Sequence, residues 1–186
     1  MAKRKKNTFR SIVIPVVLLV LTASVIYYFN DYINKPKFVR YPAFGIDIPV
    51  NYEIHGIDVS RYQYNIDWKA VEAMQDQEVK IGFAFIKATE GLGRVDNVFR
   101  RNWFHAKKSK VTRGAYHFFI SSKSGKAQAE NFIETVNLLP GDLPPVLDIE
   151  ASNGASVTDI RQRAKDWLIV IEKHYKVRPI IYTNID

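Results

Sequence analysis

Leu143-Pro144-Pro145-Val146-Leu147-Asp148-Ile149-Glu150 is a short apolar run that closes on two carboxylates two residues apart. Side chains alternate faces along a strand, so Val146, Asp148 and Glu150 share one face while Leu147 and Ile149 share the other. The Cβ atoms of the two acids then lie roughly 7 Å apart, twice the rise per residue. Upstream, Lys126 to Leu139 carries Ala129, Phe132, Ile133 and Val136 at helical spacing. Downstream, Ser156-Val157-Thr158-Asp159 resembles a capping box and opens a helix with Ile160, Ala164, Trp167, Leu168, Ile171 and Tyr175 on one face. Arg178 to Thr183 then reads as the next strand. A strand set between helices that each lead to another strand is the repeating unit of a parallel sheet.

The same alternation extends back to residue 54. Ile54 to Val59 is a strand candidate, and Asp67 can cap a helix with Trp68, Val71 and Met74 inward. Ile81 to Ala88 is a strand, followed by the turn Gly91-Leu92-Gly93. Asp96 to Lys108 fits a helix with Phe99, Trp103 and Ala106 inward, and Gly114 to Ile120 is a further strand. About five strands and four helices therefore place the chain in the α/β class. An open doubly wound sheet and part of a barrel both satisfy the pattern. In either, sites collect at the carboxyl ends of the strands. Asp58, Lys87, Glu90, His117, Asp148, Glu150 and Asn184 all lie at or just past such ends.

The formal charge of +8 suggests a polyanionic partner until it is divided. Residues 1–50 hold eight Lys/Arg against two Asp/Glu, whereas residues 51–186 hold nineteen against seventeen. The basic excess is N-terminal, and nucleic acid is not an expected partner. There is no cysteine, which excludes a disulfide framework and a thiolate metal site. Residues 1–10 form a basic segment, and from Ser11 to Asn30 no charge occurs. That run is about the length of a membrane span. Basic residues ahead of it favour a cytoplasmic N-terminus, with Tyr27 and Tyr28 where an interfacial aromatic belt belongs. The apolar run continues past the small residues Thr22-Ala23-Ser24, so a transmembrane signal anchor over 11–30 is preferred to a cleaved signal peptide. Residues 31–52, with Pro36, Pro42 and Pro49, read as a tether, and 53–186 as the globular domain.

Two acids on one rigid strand suit glycoside chemistry, in which one carboxyl protonates the leaving oxygen. Crowded like charges raise the proton affinity of one member, keeping an acid available near neutrality. A bare Asp-x-Glu is also a common solvated strand end. The surrounding segments carry more. His55-Gly56-Ile57-Asp58-Val59-Ser60 with Tyr62-Gln63, Ile66-Asp67-Trp68, Phe85-Ile86-Lys87-Ala88-Thr89-Glu90-Gly91, Arg113-Gly114-Ala115-Tyr116-His117-Phe118-Phe119, Asp148-Ile149-Glu150 and Pro179-Ile180-Ile181-Tyr182-Thr183 occur in this order. Together they resemble the family 25 glycoside hydrolases, the bacterial and phage muramidases.

The resemblance implies an irregular TIM-like β/α barrel, which the N-terminal transmembrane helix read from the apolar run would precede. It implies hydrolysis of the β-1,4 bond between N-acetylmuramic acid and N-acetylglucosamine in peptidoglycan glycan strands, outside the cell membrane. Glu150 matches the general acid, Asp148 the carboxylate that orients or charge-stabilises the N-acetyl group, and Asp58 a third acid. No cofactor and no metal are expected. Each secondary residue keeps two readings. Lys87 contacts a substrate acid or only balances the carboxylates, and Glu90 belongs to the site or caps a helix. Tyr116 and Tyr182 form a sugar-stacking wall or ordinary barrel filling. His117 reads as a hydrogen-bonded structural residue, and Trp103 and Trp167 as core. The family's barrel continues past the strand that ends at Thr183, so an incomplete barrel with reduced stability is expected. A non-catalytic wall-binding relative is the alternative.

Overall fold

The computed structural model describes residues 8–35 and 37–184. Residues 1–7 of the basic segment and Pro36 of the tether lie outside them. The chain divides into two units, Met1–Tyr52 and Glu53–Asp186. In the first, helix α1 spans Thr8–Asn34, with Pro15 near its N-terminal end. Its stretch Ile12–Asn34 has a mean hydropathy of 2.5 and is long and apolar enough to cross a membrane. The segment read as a tether contains a short hairpin. Strands β1 (Phe38–Tyr41) and β2 (Ile46–Pro49) pair antiparallel. Gly45 makes the turn possible, because its φ of +69° is a conformation that side-chain-bearing residues resist. Asp47, in the echo of the Gly-Ile-Asp motif, pairs with Arg40 across the hairpin at 3.6 Å.

The second unit begins with β3 (His55–Val59), followed by a single 3-10 turn over Arg61–Gln63 and α2 (Trp68–Ala73). Asp67 caps α2 by accepting from the N–H groups of Lys69 and Ala70. Met74, expected on this helix, leaves it in an extended conformation. A two-residue strand β4 (Gln75–Asp76) turns into the long β5 (Val79–Glu90), against which β6 (Arg94–Val95) folds back. Next come α3 (Phe99–Lys108), β7 (Thr112–Phe118), α4 (Gly125–Thr135), β8 (Val146–Ile149), α5 (Val157–Tyr175) and β9 (Ile180–Thr183). The start of α3 moves from the expected Asp96 to Phe99. The Asp96 carboxylate is used outside the helix, accepting from the N–H groups of Val98 and Arg61.

The main strands pair in the order β3-β5-β7-β8-β9, every neighbour parallel. A doubly wound sheet reverses direction at a switch point, whereas this order never does. Monotonic winding of this kind is that of a β/α barrel, and the sheet forms a curled half-barrel. The expected five strands and four helices are therefore present, with β4 and β6 as additions.

The two faces of the sheet differ. On the outer face Val59, Ala84, Ile86, Ala88, Ala115, Phe119 and Leu147 pack against Trp68, Phe99, Ala106, Phe132, Trp167 and Ile171 of the helices. Full burial of each large apolar side chain stabilises the fold by about 1.5–3 kcal/mol. Small alanines on β5 and β7 admit large helix residues, so the layers interdigitate. The inner face carries Phe83 and Phe85, each lying over a glycine of the neighbouring strand. A Cβ on Gly56 would stand 2.3 Å from the Phe83 ring, and one on Gly114 the same distance from Phe85. Aromatic rings roofing strand glycines hold these rings flat across the sheet. At the foot of β7, Arg113 and Asp142 form a buried ion pair at 2.8 Å, with the guanidinium over Trp103.

Candidate active site

Val146, Asp148 and Glu150 do share one face, and that face lines a cavity of about 510 Å³. Asp58 from β3, Lys87 from β5, Tyr116 from β7 and Tyr182 from β9 line the same cavity. Lateral pairing explains the convergence. Register sets Lys87 beside Tyr116, Tyr116 beside Val146, and Asp148 beside Tyr182. Alternation then points these side chains to the concave side. Phe83, Phe85, Phe118 and Tyr62 complete an aromatic lining that was not assigned to the site from sequence. The signal was present: Phe83, Phe85 and Lys87 sit at alternate positions of one strand.

The carboxyls differ in environment. Asp58 and Glu150 are exposed, whereas Asp148 is buried. Its Oδ1 has no hydrogen-bond partner among the described residues. Burial first, then the charge of Glu150 and, more weakly, that of Asp58, push the Asp148 carboxyl up to about 7, against the opposing pull of Lys87. Asp148 is therefore a carboxyl that can hold a proton near neutrality. Tyr116 is pushed above the ordinary phenol range by burial and by the nearby Asp58 and Asp148, so it stays protonated.

Lys87 is buried and donates to Glu90 Oε2 at 2.8 Å, with its ammonium 4.4 Å from the Phe118 ring centre. Glu90 does not line the cavity. Its second oxygen accepts from Arg94 at 2.6 Å. Burial alone would raise the Glu90 carboxyl, but the Lys87 hydrogen bond and the charges of Lys87, Arg94 and Arg61 together lower it. Glu90 is the last residue of β5 and precedes a hairpin, so the helix-cap reading does not apply.

His117 faces the helices. Its Nδ1 lies 2.7 Å from Thr89 Oγ1 and its Nε2 3.1 Å from Gln128 Oε1. That amide oxygen also accepts from the Ile120 N–H, which orients it as an acceptor toward the ring. Nε2 therefore carries the proton, and Nδ1 accepts from the Thr89 hydroxyl. Burial lowers the imidazole to about 4, so it is neutral at physiological pH. Trp167 is fully buried and stacks on His117 at 6.0 Å, while Trp103 is only partly covered. Among the described residues no cluster of three or more His, Cys, Asp or Glu could hold a metal ion.

A half-barrel of parallel β/α units with acids converging at its carboxyl-end face puts them where sites collect in β/α barrels. Comparison with known proteins gives that arrangement a family. Residues 57–186 match the glycosyl hydrolases family 25, and the chain belongs to that family. YegX of Escherichia coli strain K12 is 44% identical over 155 residues, covering 83% of this chain and 57% of YegX. Lysozyme M1 of Streptomyces globisporus is 36% identical over 145 residues, covering 70% of this chain and 46% of that protein. The solved structure of a family 25 glycosyl hydrolase from Bacillus anthracis superposes with a TM-score of 0.68 at 39% identity. That match covers 73% of this chain and 63% of the solved one. The chain thus spans a little over half the length of YegX.

Proposed function

We propose that the globular unit is a muramidase that cleaves the β-1,4 bond between N-acetylmuramic acid and N-acetylglucosamine in peptidoglycan. The observation that carries this reading is the meeting of Asp58, Asp148 and Glu150 in one cavity, with Asp148 able to hold a proton near neutrality. Family membership and the likeness to a protein named lysozyme support the substrate class.

Glu150, exposed at the cavity mouth, protonates the departing glycosidic oxygen as the bond from the anomeric carbon breaks. The sugar's own acetamido oxygen attacks that carbon, so no enzyme nucleophile is needed. Asp148, in its ionised form, accepts from the acetamido N–H and takes that proton as the ring closes. That task is favoured by its affinity for a proton near neutrality and by its oxygen that lacks a partner. Water that gives its proton to the Glu150 carboxylate then attacks the same carbon, opens the ring and restores the acid. Asp58 holds negative charge on the opposite wall. Tyr116 and Tyr182 flank the acids, with Tyr182 open enough to stack on a sugar ring. Helix α1 serves as a membrane anchor with its N-terminus cytoplasmic, which holds the enzyme at the wall side of the membrane.

Clearance of purified cell walls by the full chain in detergent, compared with Glu150→Gln, tests the reading. Release of reducing sugar by the unmodified chain and its loss in the variant are expected. Equal clearance by both removes Glu150 from its role. Binding without clearance by either would assign the chain to a non-catalytic wall-binding relative.

A further inference from the structure

A buried cation and a buried carboxyl share the cavity without pairing. Lys87 and Asp148 are 8% and 7% exposed. The Lys87 ammonium stands over the ring of Phe118, the lateral neighbour of Asp148 in the sheet. Asp148 nevertheless keeps an oxygen with no hydrogen-bond partner among the described residues. An ammonium close to a partnerless buried carboxylate would be expected to close an ion pair, because a buried charge left uncompensated is strongly destabilising.

The arrangement around Glu90 explains why it does not. The Glu90 carboxylate spans two cations, taking Lys87 Nζ on one oxygen at 2.8 Å and Arg94 Nη1 on the other at 2.6 Å. The β5–β6 hairpin sets Arg94 directly opposite Glu90. Asn131 of α4 donates to the Gly91 carbonyl at 3.0 Å, which pins the turn that follows Glu90. The clamp is thus built on rigid backbone, outside the cavity lining.

We infer that Glu90, fixed by Arg94, is a positioning residue that draws the Lys87 ammonium away from Asp148 and keeps that carboxyl free for the sugar. The inference deepens the muramidase reading, but its geometry does not depend on turnover. The titratable groups that line the cavity with Asp148 are Asp58 from β3, Tyr62 from the 3-10 turn, Lys87 from β5, Tyr116 from β7, Glu150 beyond β8 and Tyr182 from β9. Lys87 is the one cation in this set. Where its ammonium sits therefore sets how far the carboxyl is pulled down against burial and the charge of Glu150. A Lys87–Asp148 pair would ionise the carboxyl well below neutrality and occupy the oxygen that the acetamido N–H needs.

The test follows the Asp148 carboxyl itself. Carboxyl-13C aspartate is incorporated into the full chain in detergent, the Asp148 resonance is assigned by its loss in Asp148→Asn, and the signal is titrated by NMR. Glu90→Gln is expected to lower the Asp148 midpoint by about one pH unit or more as Lys87 swings over. Lys87→Met is expected to raise it. Adding Glu90→Gln to Lys87→Met should then leave the midpoint unmoved, since no ammonium remains to be redirected. An unchanged midpoint in Glu90→Gln overturns the inference. So does an equal drop in both backgrounds, which would mean that Glu90 acts only through its own charge. Arg94 is exposed, so Arg94→Gln is the gentler variant; a smaller drop in the same direction supports the clamp and no drop opposes it. If the unmodified chain clears no cell wall, the muramidase reading falls while the titration still decides the clamp.

Discussion

His117 and Asp148 are buried titratable side chains one rung apart on neighbouring strands, yet on opposite faces of the sheet. His117 has both ring nitrogens engaged and a tryptophan stacked on it, and burial holds it neutral. Asp148 has an oxygen with no partner among the described residues, other carboxyl and phenol groups lining the same cavity, and a carboxyl pushed up to about 7. The difference separates two uses of burial. On the outer face, burial completes a hydrogen-bond network that locks β5, β7 and α4 together. On the inner face, burial leaves a group that can change charge, as acid chemistry requires.

The contrast predicts how variants on each face behave. Glu150→Gln, on the inner face, should reduce wall clearance by about 10²–10⁴-fold while leaving the thermal midpoint nearly unchanged, as read by parallel activity and melting assays. Phe132→Ala, on the outer face, should do the reverse. Loss of about 3–5 kcal/mol in denaturant unfolding is expected because the ring is fully buried between the sheet and α5.

The pH dependence of stability sets the two groups against each other. Between about pH 4 and 6.5 the unfolded chain protonates His117 but the folded chain does not, so this group makes stability rise with pH. Asp148 acts oppositely. From 3.8 up to about 7 the folded chain keeps a proton that the unfolded chain has lost, so stability falls as pH rises. Asp148→Asn should therefore stabilise the protein at pH 8 by about 2 kcal/mol, discounted for the solvent that reaches the cavity, and give no gain below pH 3.8. In that variant the slope of stability between pH 4 and 6.5 should turn more positive, because His117 is left unopposed. Chemical denaturation across pH measures both effects. The smallest expected change is Thr89→Val, which removes the hydroxyl that donates to His117 and should cost about 1 kcal/mol without affecting the pH profile of clearance.

Much of this was legible in residue order. Hydrophobic spacing placed the four helices and five main strands of the globular unit, and the period-two pattern put Asp148 and Glu150 on a common face. Less legible were the features that depend on partners distant in sequence. Three prolines and weak periodicity in residues 31–52 suggest local extended structure, but the pairing of residues 38–41 with 46–49 has no local signal. Phe83 and Phe85 looked like ordinary strand residues, since nothing local reveals that Gly56 and Gly114 lie beneath them. The position of Glu90 at a strand end left open a site residue or a helix cap, and its pairing with Lys87 and Arg94 depends on a hairpin that no local spacing reveals.

Local spacing was enough for the α/β class, the parallel strands and the list of acids, because side-chain direction repeats with the backbone period and needs no partner. Whether the sheet winds one way or reverses, which carboxyl keeps its proton, and where the Lys87 ammonium rests came from packing alone. Winding depends on which strands become neighbours, and a proton affinity depends on burial and on charges that reach one point from β3, β5 and the end of β8.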